Sequence, residues 1–429
     1  MSETLERLRA RTAEMVELLG TLVTSESPSG HAVALTTTAT LLARRGTELL
    51  GQEPEWLATG DSAVLRWRLP AQSGGHGRPI LLLAHLDTVW PLGTATRWPF
   101  SVTDGHATGP GCFDMKAGLV QALFAMAELR RSQRPSPGVV LLVTSDEEVG
   151  SPSGRQFIEA DAADAAAVLV LEASAAGRLK IARKGVGIYR LEITGRAAHA
   201  GLEPERGVNA LTVAADLVLR LADIADSAAG TTVTPTLAEA GTTQNTVPAH
   251  AAVTLDVRAA TVAEQERVDC DLRELSVPPG AELTVLGGTN CPPLEERASA
   301  ALYATARDLA ARCGIAELDG VAVGGGSDGN FTAALGVPTL DGMGAVGDGA
   351  HAEGEYVVIA EMAPRAALVT EMIVAMAMAD ADTGAVNPER DEEEDTDRGC
   401  RVAATADGSR NAGSRNAGRR ERRESDAHE

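Results

Sequence analysis

Apolar positions in the first half of the chain follow two rhythms. Between Leu5 and Val23, the residues Leu5, Leu8, Thr12, Met15, Leu18 and Leu19 fall near one face of a helix, so an amphipathic helix is predicted there. Ser25-Glu26-Ser27-Pro28-Ser29-Gly30 interrupts it, and His31 to Leu50 predicts a second helix. A strand is predicted at Ser62 to Leu69 and a glycine-rich turn at Gln72 to Pro79. The rhythm then changes. Ile80-Leu81-Leu82-Leu83-Ala84 is apolar without alternation, the pattern of a strand covered on both faces. Similar runs occupy Gly138 to Val143 and Ala166 to Leu171, with a helix predicted from Ala117 to Arg130. Each run stops at ionisable side chains: His85, the triplet Asp146-Glu147-Glu148, and Glu172. Strands alternating with helices predict an α/β fold whose open, mostly parallel sheet is flanked by helices. In such sheets ligands bind outside the carboxyl ends of the strands.

Beyond Lys184 the pattern becomes that of a separate unit. Val186 to Ile193 and Ala251 to Arg258 alternate as strands, while Asn209 to Ile224 and Thr261 to Leu275 read as helices. An inserted α+β domain over 184–290 is expected, dividing a catalytic domain into 1–183 and 291–383. The second part contributes a helix at Ala298 to Cys313, a strand at Gly320 to Val323 and a closing helix from Ile359 to about Met378. From 384 to 429 the chain has an acidic run (Glu389 to Asp395), a repeated Ser-Arg-Asn-Ala-Gly and an Arg/Glu-rich end. It cannot bury enough apolar surface to offset its chain entropy and is expected to be a disordered tail.

Charge narrows the list of partners. A net charge of −22 with 3% aromatic residues leaves little with which to hold phosphates or stack bases, so nucleic acid is not expected. No apolar stretch has the length of a membrane span. The charged start, Met1-Ser2-Glu3-Thr4-Leu5-Glu6-Arg7, has no signal core. Cys112, Cys270, Cys291, Cys313 and Cys400 lack a metal-type spacing, so reduced thiols in a cytoplasmic protein are expected.

Carboxylates at the end of a buried strand are costly unless a cation compensates them, and the ionisable strand ends point to metal ions. On an extended strand end His85 and Asp87 share a direction, so Asp87 can take the second N–H of a metal-binding imidazole. Alone, His-x-Asp reads as well as a satisfied polar pair. Asp114 lies in a glycine-flanked loop before a helix, where it suits either an N-cap or a carboxylate bridging two cations about 3.5–4 Å apart. Glu147 and Glu148 are adjacent; in an extended segment they would diverge, one toward a metal and the other toward water. His351, in Gly349-Ala350-His351-Ala352-Glu353, says little by itself.

Together these segments resemble the aminoacylase/carboxypeptidase family of di-zinc metallopeptidases over most of residues 1–380. The carriers are His85-Leu86-Asp87-Thr88-Val89, Gly109-Pro110-Gly111-Cys112-Phe113-Asp114-Met115-Lys116, Ser145-Asp146-Glu147-Glu148-Val149-Gly150 and Gly349-Ala350-His351. The resemblance implies that His85, Asp114 and Glu172 hold one Zn2+, with Co2+ as a substitute, and that Asp114, Glu148 and His351 hold the other. Asp114 would bridge and Glu147 would be the general base. Ala182-Arg183-Lys184-Gly185-Val186-Gly187 and Gly324-Gly325-Gly326-Ser327-Asp328-Gly329-Asn330-Phe331 resemble the folate-type glutamate carboxypeptidases within it. It further implies a homodimer through the inserted lid, with His199 helping to hold the oxyanion in the partner's site. Arg258, Asn245 and Lys184 are the expected contacts to a small or short-peptide substrate bearing a free carboxylate. The expected activity is release of C-terminal glutamate. Deacylation of N-acyl amino acids on the same metals, or a non-catalytic binding role, are the alternatives.

Overall fold

A computed structural model describes residues 2–59 and 62–382; the expected tail lies outside the described residues. The central sheet has six strands in the order Glu55–Thr59, Ser62–Leu69, Val139–Thr144, Ile80–His85, Ala167–Val170 and Thr339–Leu340. Its last four strands run parallel, and the first two form an antiparallel margin. Every residue of Ile80–His85 and Val139–Thr144 is buried because helices cover both faces. Leu82, Leu141 and Leu169 pack with the helices Thr12–Thr24, Ala32–Leu50, Ala117–Ser132 and Ile359–Asp382. Leu81, Leu83, Leu142 and Val168 face the other way, against Ile158, Ala162 and Phe331. Each such leucine or valine contributes about 1.5–3 kcal/mol by leaving water.

The expected fold class is the one observed: an open, mostly parallel sheet between helices, with an inserted α+β unit. That unit is a four-stranded antiparallel sheet, ordered Thr232–Ala240, His250–Ala259, Gly185–Thr194 and Glu282–Cys291. The helices Ala210–Ile224 and Val262–Arg273 close its separate core around Leu191, Leu217, Leu255 and Val268. Asn209 and Thr261 cap these helices by accepting backbone N–H groups. The two passages between the units lie side by side. Arg183 and Leu294 exchange backbone hydrogen bonds of 2.9 and 3.0 Å, and the Asn330 amide donates to the carbonyls of Lys184 and Pro292.

Several boundaries differ from expectation. The first predicted helix is two, Glu3–Arg9 and Thr12–Thr24, because the backbone leaves helical geometry at Arg11 (φ −106°, ψ 11°). Gly320–Val323 is a strand, but it pairs with Leu179–Arg183 outside the central sheet. None of the described helices is long and apolar enough to cross a membrane.

Candidate metal centre

Parallel register brings the acids together. His85 lies opposite Thr144, and Leu83 opposite Val170, so His85, the turn after Thr144 and Glu172 leave the sheet at one edge. Glu147 and Glu148 do not lie on an extended segment as expected; Glu147–Val149 is a short 3-10 turn. Asp87 holds that turn. Its carboxylate accepts the N–H groups of Glu147 and Glu148 at 3.2 Å each, and the Ser29 hydroxyl at 2.7 Å. Toward His85 the nearer group is the Asp87 carbonyl, 3.0 Å from Nδ1, with the carboxylate at 3.4 Å. A carbonyl can only accept, so Nδ1 donates to it and Nε2 is the nitrogen turned toward the acids.

Asp114 sits at the centre. Its Oδ1 is 3.6 Å from His85 Nε2, and its Oδ2 is 3.3 Å from His351 Nε2. Glu172 Oε1 lies 3.2 Å from His85 Nε2, and Glu148 Oε2 lies 3.0 Å from His351 Nε2. Glu147 stands further off, with Oε2 3.9 Å from His85 Nε2. His85, Asp114 and Glu148 form one metal-competent grouping, and His85, Glu147 and Glu172 another. His351 reaches the centre from its mouth, 52% exposed, with its backbone in the left-handed region at φ 62°.

The polar atoms here are not satisfied by protein. His85 Nε2, Asp114 Oδ1 and Glu148 Oε1 are buried without a hydrogen-bond partner. Burial opposes protonation of His85, but Asp114, Asp87 and Glu172 outweigh it and raise its pKa well above the ordinary value. Asp114 and Glu148 raise His351 to about 10. Burial, with Glu172, Asp328 and Asp114 nearby, pushes Glu147 well above the usual carboxylate range. The centre therefore has an excess of negative charge that protons would have to meet unless cations do. Imidazole and carboxylate donors fit Zn2+, Co2+ or Mn2+. The residues present thus fit a pair of divalent cations.

Residues that sequence reasoning missed hold these groups in place. Glu355 accepts the Cys112 N–H at 2.9 Å and so fixes the loop before Asp114; burial raises its carboxyl to about 8. Lys116 is buried and donates to the carbonyls of Leu22 and Ser25 at the end of Thr12–Thr24. Asp328 accepts the hydroxyls of Thr144 (3.2 Å) and Ser151, which flank the acidic turn. Arg183 and Lys180 approach Glu172 Oε2 to 3.4 and 3.7 Å. Arg183 and Asp328 stand in stretches that drew attention in the sequence, but no local spacing assigns them partners so distant along the chain. Cys112 is a buried thiol near two carbonyls, a filler rather than a ligand.

No recorded contact joins the expected substrate residues to this cluster among the described residues. His199 is exposed on the inserted unit; its Nδ1 accepts the N–H groups of Gly201 and Leu202 at 3.1 Å each. Its proton is then on Nε2. Asn245 is exposed beside it, its carbonyl accepting Ala200 N–H at 2.9 Å. Arg258 already grips the carboxylate of Asp256 through Nε and Nη2, both at 2.8 Å. Lys184 is half-buried at the passage into the insertion. A groove of about 410 Å³ on the inserted unit is lined by Ala197, Thr246, Val247 and Pro248, and by none of the clustered acids.

Residues 81–375 match the model of peptidase family M20/M25/M40. The chain is 30% identical over 383 residues to carboxypeptidase G2 of Pseudomonas sp. (strain RS-16), covering 84% of this chain and 88% of that one. It is 30% identical over 202 residues to succinyl-diaminopimelate desuccinylase 2 of Ruegeria sp. (strain TM1040), covering 43% and 51%. Its fold is similar to that of the aminopeptidase PepT from Bacillus cereus ATCC 10987, with a TM-score of 0.68 at 24% identity over 85% of this chain and 99% of that one.

Proposed function

From the premise that this chain belongs to peptidase family M20/M25/M40, we propose that it is a two-metal hydrolase that cleaves an amide bond next to a free carboxylate. His85, Asp114 and Glu172 would hold one cation and Asp114, Glu148 and His351 the other. The observation that carries this is Asp114, whose two oxygens face two different histidines, at 3.6 and 3.3 Å. When bound, two divalent cations polarise a carbonyl and lower the pKa of water toward about 7; Zn2+ is our assignment, with Co2+ as a substitute.

The protein's own groups do the rest. Glu147, outside the closest histidine contacts, accepts the proton of the attacking water and returns it to the leaving amine. Asp87 keeps Glu147 in place through its backbone N–H. The Nε2–H of His199 is a donor suited to a developing oxyanion. Because His199 is exposed on the inserted unit with its Nδ1 held by Gly201 and Leu202, we assign it to the site of a second copy, paired through the inserted unit. Arg258 would meet the substrate carboxylate with Nη1, its other nitrogens being held by Asp256, while Asn245 and Lys184 complete the pocket.

C-terminal glutamate is the proposed leaving residue, following the resemblance of the segments around Arg183 and Asp328 to folate-type glutamate carboxypeptidases. Similarity to carboxypeptidase G2 over most of the chain supports carboxypeptidase action. Similarity to a desuccinylase favours deacylation of an N-acyl amino acid as the second reading. A screen of N-blocked glutamate, aspartate and neutral amino acids with Zn2+-loaded protein separates them. Preference for pteroyl- or peptidyl-glutamate supports the first, and preference for N-acetyl or N-succinyl substrates without it supports the second. Cys112, Cys291 and Cys313 are thiols outside any disulfide, which suits the cytoplasmic residence we also propose.

A further inference from the structure

Glu172 turns its two oxygens in opposite directions. Oε1 faces His85 Nε2 at 3.2 Å, while Oε2 faces Arg183 Nη2 at 3.4 Å and Lys180 Nζ at 3.7 Å. Arg183 is 5% exposed, and all of its N–H groups have partners. Nε donates to Asp341 Oδ2 at 2.7 Å, and Nη2 to Asp341 Oδ1 at 3.0 Å as well as to Glu172. Nη1 donates to the carbonyls of Gly325 and Gly326 at 3.1 and 3.0 Å. A guanidinium has five N–H groups in one rigid plane, so no donor is spare and the plane cannot turn without losing several bonds. Asp341 is buried and is fixed in turn by the Ser327 hydroxyl at 2.6 Å.

We propose that Arg183 is a positioning residue for the metal centre: it engages one oxygen of Glu172 so that the other alone faces the cation, and its plane fixes the Gly325–Gly326 backbone beside it. A carboxylate that ligates through one oxygen leaves open a coordination position that a chelating one would take. A lysine at 183 would supply the charge but could not span Asp341, Glu172 and two carbonyls together. The inference rests on the two-metal reading above.

The test is a Co2+ titration of the chelator-treated full chain, followed by visible absorption. Four-coordinate Co2+ absorbs more strongly than Co2+ with more ligands, so the spectrum reports how Glu172 binds. Wild type is expected to take up two Co2+. Arg183→Lys should weaken one of them about 10- to 100-fold, the range for partners behind metal ligands, lower its absorption and leave the other unchanged. Ser327→Ala loosens Asp341 without removing a charge and should move both readings the same way by less. It decides the question if Arg183→Lys fails to fold in a thermal melt. If wild type binds two Co2+ and the folded variants match its constants and spectrum, the positioning role is wrong while the two-metal reading stands. If wild type binds no Co2+, the two-metal reading falls first.

Discussion

Glu147→Gln should separate metal binding from proton transfer. The substitution keeps the side chain's shape, and the turn survives because Asp87 holds the Glu147 N–H, not its carboxylate. Glu147 Oε2 is 3.9 Å from His85 Nε2, beyond Glu172 at 3.2 Å and Asp114 at 3.6 Å, so both cations should remain. A positioned general base contributes about 10²–10⁴-fold, or about 2.7–5.4 kcal/mol in the barrier. The upper end is expected, since Asp114, Glu148 and Glu172 each face a histidine and none is free to replace it. In the metal-free protein Glu147 is recessed and crowded by Glu172, Asp328 and Asp114, which disfavours its charge. Gln removes that repulsion, so the metal-free variant should melt above metal-free wild type. Turnover of an N-blocked glutamate, metal content and melting temperature are the three readings. Metal-loaded Glu147→Gln with activity within tenfold of wild type would refute the base assignment. Loss of metal would make Glu147 a ligand instead.

Other consequences can be tested on the same preparation. Restoring Zn2+ to chelator-treated protein at a hundred times its Kd should stabilise it by about 2.7 kcal/mol, seen as a higher melting temperature. Glu355→Ala removes the acceptor of the Cys112 N–H and should weaken metal about 10- to 100-fold in competition with a chelator. Burial raises the Glu371 pKa, but Arg134 and Thr4 outweigh it and leave it below the ordinary glutamate value. Its contribution is therefore present above that value and lost as pH falls through the lowered one. Glu371→Gln should cost about 1–2 kcal/mol at pH 7 in urea titrations, a modest figure because Arg134 is partly exposed, and the cost should fade in acid. A Cβ at Gly118 would overlap the Leu171 carbonyl oxygen. Gly118→Ala should cost at least about 1–3 kcal/mol by denaturant midpoint and loosen Glu172, the next residue along.

The parts of the fold legible in sequence are those buried on both sides. Ile80–His85 and Val139–Thr144 announce themselves as unbroken apolar runs because no residue in them meets water. Thr232–Ala240, an exposed edge strand, carries no such pattern and went unread, as did Glu282–Cys291. His85, Glu147, Glu148 and Glu172 were legible because each closes a buried apolar strand, and Asp114 because it precedes a helix; His351, in a turn between short strands, is carried only by the family resemblance. Their supports were not. Arg183 meets Asp341 at a separation of 158 residues, and Glu355 meets Cys112 at 243. Asp87 was expected to serve His85 through its carboxylate; that carboxylate lies 3.4 Å from His85 Nδ1 and also anchors the acidic turn, a second duty hidden because a tight turn stands where an extended segment was expected.

The paired backbone bonds between Arg183 and Leu294 have a consequence for how this architecture can vary. Because the chain leaves and returns at one spot, the inserted unit behaves as a graft on a single stem. Its length and surface can be exchanged without rethreading the half that carries His85, Asp114 and Glu172. If the proposed substrate contacts on the insertion hold, selectivity can drift in one module while the metal-facing side chains are inherited intact in the other.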